Sequence, residues 1–442
     1  MTFECPLVRL DQIAQINPKR RVSKGVSVPF VDMAALPQNF RDINPNDVVV
    51  RVAKGAGAHF QNGDTLVARI TPCLENGKTV QVRCLDSDVV GEGSTEFIVL
   101  CGIDRADDNY VYYLCRDPAF REYAIGRMEG TSGRQRVSWQ SIAAYEFAFP
   151  PPSERRAAAA ILEMLDDRIT LLRETNITLE AIAQALFKSW FVDFDPVLAK
   201  SQGTLPECID NETTELFPDS FVESELGLIP LGWEVSSIYD IATITYGAPF
   251  ASKLFKANPP GRPLVRIRDL KDECPGVYTE EIHPKGYLIK PGDIVVGMDG
   301  EFRSYVWGGE DAWLNQRVCV FTPINDACAA FVRLSISPLL AAVEASETAT
   351  TVIHLGKNDI DRFKVIHPTP NILKKFGEIV NPIYSLFVKN KQQTQTLSKL
   401  RDSLLPRLIS GQLRIADAEV ELEKATAYPS ISAVVREPSL VV

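Results

Sequence analysis

The feature of this sequence that most constrains its fold is an internal repeat. Three short segments of the first half recur in the same order in the second half, about 220–229 residues later. The matching segments begin at Leu10 and Ile238, at Gly63 and Gly292, and at Ile142 and Ile360. Each match is weak alone, but three in one order favour a duplication. A chain of 442 residues is long enough for two or three domains, so the repeat predicts two halves with one layout.

Each half begins with a region rich in short Val, Ile, Phe and Tyr runs, broken by Gly, Pro, Asn and Asp. This pattern is typical of mixed strand and loop structure. A proline-marked boundary then precedes a long helix in each half, predicted over residues 154–191 and 372–409. Pro382 and Pro406 fall inside the second helix, and each is predicted to kink it or end it.

The two predicted helices each carry one apolar stripe with spacings of three and four residues. Polar residues interrupt the stripes at Asn176 in the first helix and at Asn390 and Gln393 in the second. A polar seam residue sets the register of paired helices, so these interruptions favour pairing over two unrelated core helices. The predicted fold class is α+β, with two α/β domains separated by two long, antiparallel, coiled-coil-like helices in a pseudo-twofold repeat.

The net charge of −10 argues at first against a nucleic-acid partner, since phosphate contacts need Lys and Arg. The acidic side chains, however, are concentrated in two stretches. Residues 201–230 carry seven acidic and no basic side chains, and the tail from Ile415 has a net charge of −3. The rest of the chain is neutral and can present basic patches locally. The acidic stretch is interpreted as a loop between domains that avoids DNA.

The remaining composition is that of a cytoplasmic protein. No apolar run reaches the roughly 18 residues of a membrane helix, and the N-terminus has no signal-peptide core. The nine cysteines form no Cys-x-x-Cys pair, so they are interpreted as reduced thiols rather than as metal or redox sites.

The catalytic signatures are incomplete. Gly77-Lys78-Thr79 resembles the end of a phosphate-binding loop, but Pro72 occupies the position of the first glycine. Residues 258–261 lack the aromatic ring of an adenine methyltransferase motif, and Asp193 and Asp195 have no third ligand nearby. The chain is therefore expected to hold no catalytic, cofactor or metal site.

Basic residues in loop-rich stretches are the candidates for DNA contact. Arginine can pair with guanine in two hydrogen bonds, and glycine and Ser132 beside Arg134 let the backbone approach a phosphate. For any single residue a solvated surface role is the alternative. The candidates are Lys19, Arg20, Arg21, Lys24, Arg69, Arg134 and Arg136 in the first half, and Lys253, Lys256, Arg266, Arg268, Arg303 and Arg317 in the second.

The ends of the two predicted helices resemble a known family. Residues 185–196, ALFKSWFVDFDP, and residues 400–411, LRDSLLPRLISG, look like the strings that close the two conserved regions of type I restriction-modification specificity subunits. The start of the first helix, residues 151–154, is similar to that family too, although Arg155 replaces its usual glutamine. The resemblance covers residues 5–415.

The resemblance implies a division of the chain into six parts. These are a first target-recognition domain (1–150), a first spacer helix (151–200), the acidic linker (201–228), a second target-recognition domain (229–368), a second spacer helix (369–415) and a tail (416–442). The two recognition domains would read the halves of a bipartite, asymmetric DNA target. The paired helices would fix the gap between those halves.

The resemblance also implies partners. Two adenine-methylating subunits would dock on the helices with S-adenosylmethionine, and restriction subunits would bring ATP and Mg²⁺, so this chain would be a non-catalytic part of the complex. The residues expected to dock these subunits are Leu186, Phe187, Trp190, Phe191, Leu404, Leu405 and Leu408. Two alternatives remain: a two-domain scaffold that bridges other proteins, and a self-sufficient restriction or methylation enzyme, whose motifs are missing.

Overall fold

The computed structural model describes residues 5–38, 40–131, 133–206, 209–346 and 353–426. Within it the chain forms two compact units. Unit 1 combines Met1–Leu171 with Thr396–Val442, and unit 2 is Leu172–Gln395. Helix and sheet are mixed, in agreement with the predicted α+β class. Ser132, Glu207, Cys208 and the tail beyond residue 426, all part of the sequence predictions, lie outside the described residues.

Unit 1 contains twelve short strands and three short helices before the first long helix. The helices are α1 (Asp108–Arg116), α2 (Pro118–Ile125) and α3 (Trp139–Ala143). The strands are β1 (Leu7–Arg9), β2 (Ala14–Ile16), β3 (Ser27–Val31), β4 (Val49–Val52), β5 (Ala58–Phe60), β6 (Thr65–Ala68), β7 (Thr79–Gln81), β8 (Gly91–Gly93), β9 (Phe97–Gly102), β10 (Met128–Glu129), β11 (Arg136–Val137) and β12 (Glu146–Ala148).

Two four-stranded sheets form the centre of unit 1. Their strand orders are β2-β9-β6-β7 and β4-β3-β8-β5, and only the pairing of β3 with β8 is parallel. Strands β6 and β9 are buried along their whole length, as their continuous apolar runs require. Helix α1 packs against this first sheet and buries Tyr110, Tyr112 and Tyr113. A further buried cluster packs the two sheets together and joins Val31 and Phe60 of one sheet to Leu66 and Val99 of the other.

The first long helix, α4, spans Pro152–Phe191 and starts two residues before its predicted start. Pro151 precedes it, and the Pro151 carbonyl accepts the backbone N–H groups of Glu154 and Arg155 at 3.0 Å each. Proline suits this position because the first backbone N–H groups of a helix have no partner inside it.

Unit 2 has the same two kinds of sheet. Their strand orders are β16-β23-β20-β21 and β18-β17-β22-β19, and the pairing of β17 with β22 is parallel. The helices are α5 (Asp195–Ser201), α6 (Asn211–Leu216), α7 (Ala329–Ser346) and α8 (Lys357–Ile360). The strands are β13 (Phe221–Ser224), β14 (Gly227–Pro230), β15 (Glu234–Ser237), β16 (Ala242–Tyr246), β17 (Arg262–Val265), β18 (Tyr278–Thr279), β19 (Leu288–Ile289), β20 (Ile294–Gly297), β21 (Ser304–Val306), β22 (Ala312–Leu314), β23 (Val318–Pro323) and β24 (Lys364–His367).

Helix α7 is, among the described residues, the one helix long and apolar enough to cross a membrane. One side of it is buried in the core of unit 2, where Phe331, Ile336 and Leu340 pack with the other apolar side chains. Its length and composition are therefore explained by core packing.

The second long helix, α9, spans Pro370–Ile409, and α10 (Ile415–Thr426) follows it. Neither Pro382 nor Pro406 ends α9, so of the two predicted effects only a kink remains at each proline. Each proline removes one bond to the carbonyl four residues earlier, at Glu378 and at Asp402. Both of those residues are exposed, so water can satisfy the freed carbonyls.

The long helices contact each other inside each unit. In unit 2, the side-chain amide of Asn390 donates to the Asn176 amide oxygen at 2.9 Å, and Asn176 donates to the Phe387 carbonyl at 3.0 Å. Arg333 donates hydrogen bonds to Glu180 of α4 and to Tyr384 of α9. Glu180 follows Asn176 along α4, whereas Tyr384 precedes Asn390 along α9. The two helices are therefore antiparallel in unit 2.

In unit 1 the contact is charged. Arg401 of α9 donates to the Asp166 carboxylate of α4 at 2.6 Å, and the Tyr113 hydroxyl donates to the same carboxylate at 2.9 Å. The side chains of Arg401 and Asp166 are 3% and 4% exposed. Both charges are thus buried and paired.

The acidic stretch 201–228 is partly regular structure and not the expected loop. It contains α6 and most of the β13–β14 hairpin. Asp210 caps α6 by accepting the Thr213 backbone N–H at 2.7 Å. Acidic side chains suit the positive end of a helix, so the acidic composition indicated exposure here and not absence of structure.

Candidate nucleic-acid interface

The β3–β4 hairpin of unit 1 presents basic side chains to solvent. The pairing extends beyond the strands, because Ala53 N–H donates to the Val26 carbonyl at 2.8 Å and Gly25 N–H to the Ala53 carbonyl at 3.3 Å. We call residues 19–27 and 50–56 the basic hairpin. Its exposed lysines and arginine are Lys19, Arg21, Lys24 and Lys54, and none of these four makes an ion pair with a described residue. They are available to a polyanion.

A buried carboxylate holds the basic hairpin in shape. Glu92 is fully buried and accepts the backbone N–H groups of Lys54 at 3.4 Å and Gly55 at 3.0 Å. The Arg51 guanidinium donates to the same carboxylate at 2.7 Å. Burial alone would raise the pKa of Glu92, but these hydrogen bonds and the Arg51 charge hold it below its usual range. The loop that carries Lys54 is therefore fixed before any ligand arrives.

Gly57 completes this arrangement. A Cβ atom at Gly57 would lie 2.3 Å from the Gly93 carbonyl oxygen, so no larger residue fits without a backbone shift. Glycine allows the loop to pass close to β8, which carries Glu92.

Arg20 stands apart from its basic neighbours. Its guanidinium pairs with the fully buried carboxylate of Asp64, at 2.6 Å from Nη2 to Oδ1, and Arg105 donates to the same oxygen at 3.1 Å. The Arg20 side chain is 11% exposed. It neutralises a buried acid, which gives Arg20 a structural contact and leaves little of its side chain accessible to DNA.

A second basic group surrounds Glu96. Arg136 binds the Glu96 carboxylate through Nη2 at 2.6 Å and Nε at 2.9 Å. The bond from Arg136 lowers the pKa of Glu96, and the charges of Arg69 and Arg134 lower it further. Three arginines thus gather around one carboxylate, which leaves positive charge in excess. Arg134 is exposed at this place, while Arg69 is half-buried.

In unit 2, three of the six predicted contact residues are neutralised by acids. Lys256 pairs with Glu280, and Arg266 pairs with Asp269 at 2.9 Å. Arg303 donates to Glu344 at 2.6 Å. Each of these cations must give up or share a carboxylate before it can bind a phosphate.

The other three differ in accessibility. Arg317 lies 3.6 Å from the Asp299 carboxylate, with its side chain 55% exposed, so the pair is loose and reachable. Lys253 and Arg268 are exposed and make no ion pair with a described residue. These three are the accessible cations among the residues predicted in unit 2.

The residues predicted to dock other subunits lie largely in the interior. Trp190 and Phe191 are 1% and 4% exposed and pack with Phe331 and Phe376, while Leu186 and Phe187 are half-buried against the same core. The three leucines near the end of the second long helix are also buried: Leu404, Leu405 and Leu408. The helix-end strings therefore build the chain's own cores, because their apolar spacing matches a face already covered within each unit.

No group of three or more His, Cys, Asp or Glu side chains forms a possible metal site in the part of the chain that the structure describes.

Comparisons with known proteins find relatives with one description. The sequence model described as "Type I restriction modification DNA specificity domain" matches residues 230–399. The MjaIX specificity subunit of Methanocaldococcus jannaschii is 28% identical over 330 residues, which are 71% of this chain and 71% of that one. The HindI specificity subunit of Haemophilus influenzae is 25% identical over 417 residues, which are 80% of this chain and 87% of that one.

A solved structure has the same fold. The S subunit of a type I restriction-modification system from M. genitalium superposes with a TM-score of 0.51 at 15% identity, over 92% of this chain and 97% of that one. Over these ranges the chain is similar to specificity subunits of type I restriction enzymes.

The sequence predictions missed two parts of the candidate interface. Lys54 was not predicted, although the Lys54-Gly55-Ala56-Gly57 segment is a glycine-rich turn beside a lysine, a signal of close backbone approach. Glu92 and Glu96 were not predicted either, and no local pattern marks them. Their roles depend on partners about 40 residues away along the chain.

Proposed function

We propose that this chain is the DNA-reading subunit of a type I restriction-modification complex and that it binds a bipartite, asymmetric target. Each unit reads one half of the target, unit 1 through its basic hairpin and the arginines around Glu96, unit 2 through Lys253, Arg268 and Arg317. One observation supports this proposal most directly. The exposed cations of the basic hairpin have no acidic partner among the described residues, and the loop that carries Lys54 is fixed by hydrogen bonds to Glu92. The two halves of the DNA target differ in sequence, because the two units present different basic residues.

The finer architecture belongs to the same proposal. The shared strand orders, and the parallel pair at the same place in each second sheet, support an internal repeat of two recognition domains. The 40-residue helices, with polar contacts at Asn176–Asn390 and Asp166–Arg401, support a coiled-coil-like spacer. At 1.5 Å per residue each helix is about 60 Å long. The spacer sets the number of unread base pairs between the two halves of the target.

The partners and cofactors follow from the family. Two methyltransferase subunits dock on the exposed faces of the spacer helices, away from the buried helix-end residues, and bring S-adenosylmethionine. Restriction subunits bring ATP and Mg²⁺, and the complete cytoplasmic complex is a site-specific deoxyribonuclease and adenine methyltransferase. This chain holds none of these cofactors.

Mapping of methylated adenines tests the proposal. The chain is expressed with the methyltransferase subunit encoded beside it, in a host without DNA methylation, and the genome is sequenced with detection of modified bases. The expected result is one gapped, asymmetric motif that is methylated on both strands. The motif must disappear when this chain is omitted from the same strain.

A double variant distinguishes contacts to phosphates from contacts to bases. Lys24→Ala with Lys54→Ala removes two proposed phosphate contacts, so the extent of methylation should fall while the methylated motif stays the same. Active methyltransferase with no such motif, or with a motif that does not depend on this chain, would contradict the proposal and favour a scaffold that bridges proteins.

A further inference from the structure

The basic hairpin exposes an unusual amount of apolar surface. Val26, Val49, Val50 and Val52 are 51%, 53%, 74% and 58% exposed, and three of them lie on β4, an edge strand. An exposed apolar edge strand can pair with other chains and aggregate, so native proteins cover or charge such edges. Apolar patches rimmed by polar groups mark binding surfaces. The hairpin therefore has the properties of a surface that a partner covers.

The strand register divides these valines between two faces. Val50 lies opposite Pro29 and Val52 opposite Ser27, whereas Val49 lies opposite Phe30. Since side chains alternate along a strand, Val50 and Val52 share one face and Val49 lies on the other. Arg51 is on the face of Val49, where its guanidinium stacks 3.1 Å from the centre of the Phe30 ring. We call Val50 and Val52 the outer valines.

The charge around the outer valines selects the partner. Lys24 and Lys54 lie at the end of the same hairpin, where a Cβ atom on Gly55 would be 3.6 Å from Lys24 Cγ. The carboxylate bonded to this loop, Glu92, is fully buried and paired with Arg51. A second copy of this chain offers carboxylates, seven of them within residues 201–230, but it does not offer apolar groups between two continuous rows of anions. An apolar face within a cationic rim instead fits the edge of a DNA base pair between two phosphate backbones.

The apolar group that DNA offers on a base edge is the 5-methyl of thymine, in the major groove. We infer that the outer valines contact thymine methyl groups in the target half that unit 1 reads, while Lys24 and Lys54 bind flanking phosphates. The inference rests on the proposed function and adds to it a base and a groove. The valines supply specificity, because cytosine and the purines have no methyl at this position.

Deoxyuridine replaces thymine without its methyl and with the same base pairing, so it tests the contact directly. Once methylation mapping has given the motif, duplexes are made in which each thymine is replaced in turn, and binding by the full chain with its methyltransferase subunits is measured. Loss of one contacted methyl should weaken binding about threefold to fivefold. The effect should fall on one or two thymines of a single half.

The matched variants are Val50→Ala with Val52→Ala, and Val49→Ala on the opposite face. The double variant should bind thymine DNA more weakly and should no longer distinguish thymine from deoxyuridine. Val49→Ala should keep the full distinction. All three substitutions are at exposed positions, so folding is expected to be retained, and circular dichroism checks it.

Three results would overturn the inference while leaving the proposed function intact. One is equal affinity of the wild-type complex for every thymine and deoxyuridine duplex. Another is a double variant that still discriminates between them. The third is a wild-type chain that sediments as a dimer while the double variant sediments as a monomer, because the outer valines would then join two copies of the chain. Absence of any specific motif in the mapping is a different result, because it removes the proposed function itself.

Discussion

Unit 1 and unit 2 contain sheets with corresponding strand orders, yet the chemistry of their interiors differs. Among the described residues, nine buried charged side chains belong to unit 1: Arg41, Asp64, Glu92, Asp107, Asp108, Asp117, Arg155, Asp166 and Arg401. In unit 2 only Asp269 is in this class, and its core contains a cluster of aromatic rings around Phe376.

The difference shows what specifies this topology. Strand orders correspond in both units and buried aromatic contacts occur in both, whereas most of the buried charges among the described residues lie in unit 1. A buried charge is acceptable where it is paired and hydrogen-bonded, as Asp166 is with Arg401 and Tyr113. The cost of the charged interior should therefore appear only when one partner is removed.

The largest expected effect is on unit 1. Arg401→Met leaves the Asp166 carboxylate buried without its cation, which should lower the free energy of unfolding by about 3–5 kcal/mol. Hydrogen exchange of unit 1 peptides during urea denaturation measures the loss. The double variant Asp166→Leu with Arg401→Met should recover most of it, because the paired charges leave together. No recovery in the double variant would contradict a role for the ion pair as such.

The corresponding contact in unit 2 should give a smaller effect. Asn390→Leu removes the donor to the buried Asn176 amide oxygen, which should cost about 1–3 kcal/mol. Tryptophan fluorescence follows unit 2 selectively, because four of the five tryptophans lie there and only Trp139 lies in unit 1. Adding Asn176→Leu should restore stability. A loss as large as that of Arg401→Met would mean that the two contacts do not differ in kind.

A third variant tests the charged interior through pH. Burial raises the pKa of Asp108 to about 6 from its usual 3.8, against the bond from Gly102 N–H and the charge of Arg105. A raised folded-state pKa in an acid means that stability falls as pH rises from about 3.8 through about 6. Asp108→Asn should therefore stabilise unit 1 by about 1–2 kcal/mol at high pH, less than the full shift because Arg105 loses its partner.

The gain from Asp108→Asn should vanish at low pH, where the wild-type carboxyl is protonated too. Urea denaturation followed by circular dichroism, at one pH above and one below this window, measures both. A gain that is independent of pH would show that ionisation of Asp108 is not its source.

The smallest expected effect is on the salt dependence of DNA binding, compared between a lysine without an acidic partner and one that is paired. Lys54 has no acidic partner among the described residues, while Lys256 pairs with Glu280. If Lys54 binds a phosphate, Lys54→Ala should reduce the slope of log affinity against log salt concentration by about 0.9. Lys256→Ala should reduce it by less, because Glu280 already neutralises that charge. Equal reductions from the two variants would remove this distinction between the units.

Periodic features were predictable from the sequence. Both long helices start two residues before their predicted starts and end at the predicted residues, because spacings of three and four residues repeat over their whole length. The two prolines inside α9 do not end it, and the residues whose carbonyls they free, Glu378 and Asp402, are exposed. The acidic stretch was wrongly predicted to be a loop, because exposed helices and hairpins have the same polar composition as irregular loops.

Contacts between distant residues were not predictable. Arg20 and Arg303 have the residue type and local setting of DNA contacts, but Asp64 and Glu344 neutralise them from 44 and 41 residues away. The arginines around Glu96 meet only because the β10–β11 hairpin lies next to the end of β6. A single sequence contains no signal for such partners, so the candidate interface became defined only in three dimensions.

The discontinuity of unit 1 affects the order in which the protein is made. A ribosome releases all of unit 2, up to Gln395, before it releases Thr396 and the residues that complete unit 1. After Asp166 has been synthesised, 235 further residues, more than half of the chain, must follow before its partner Arg401 is present. A polypeptide that stops near residue 395 would contain every residue of unit 2 but would leave the Asp166 carboxylate of unit 1 without its cation. Unit 1 can therefore be completed only after translation has passed Arg401.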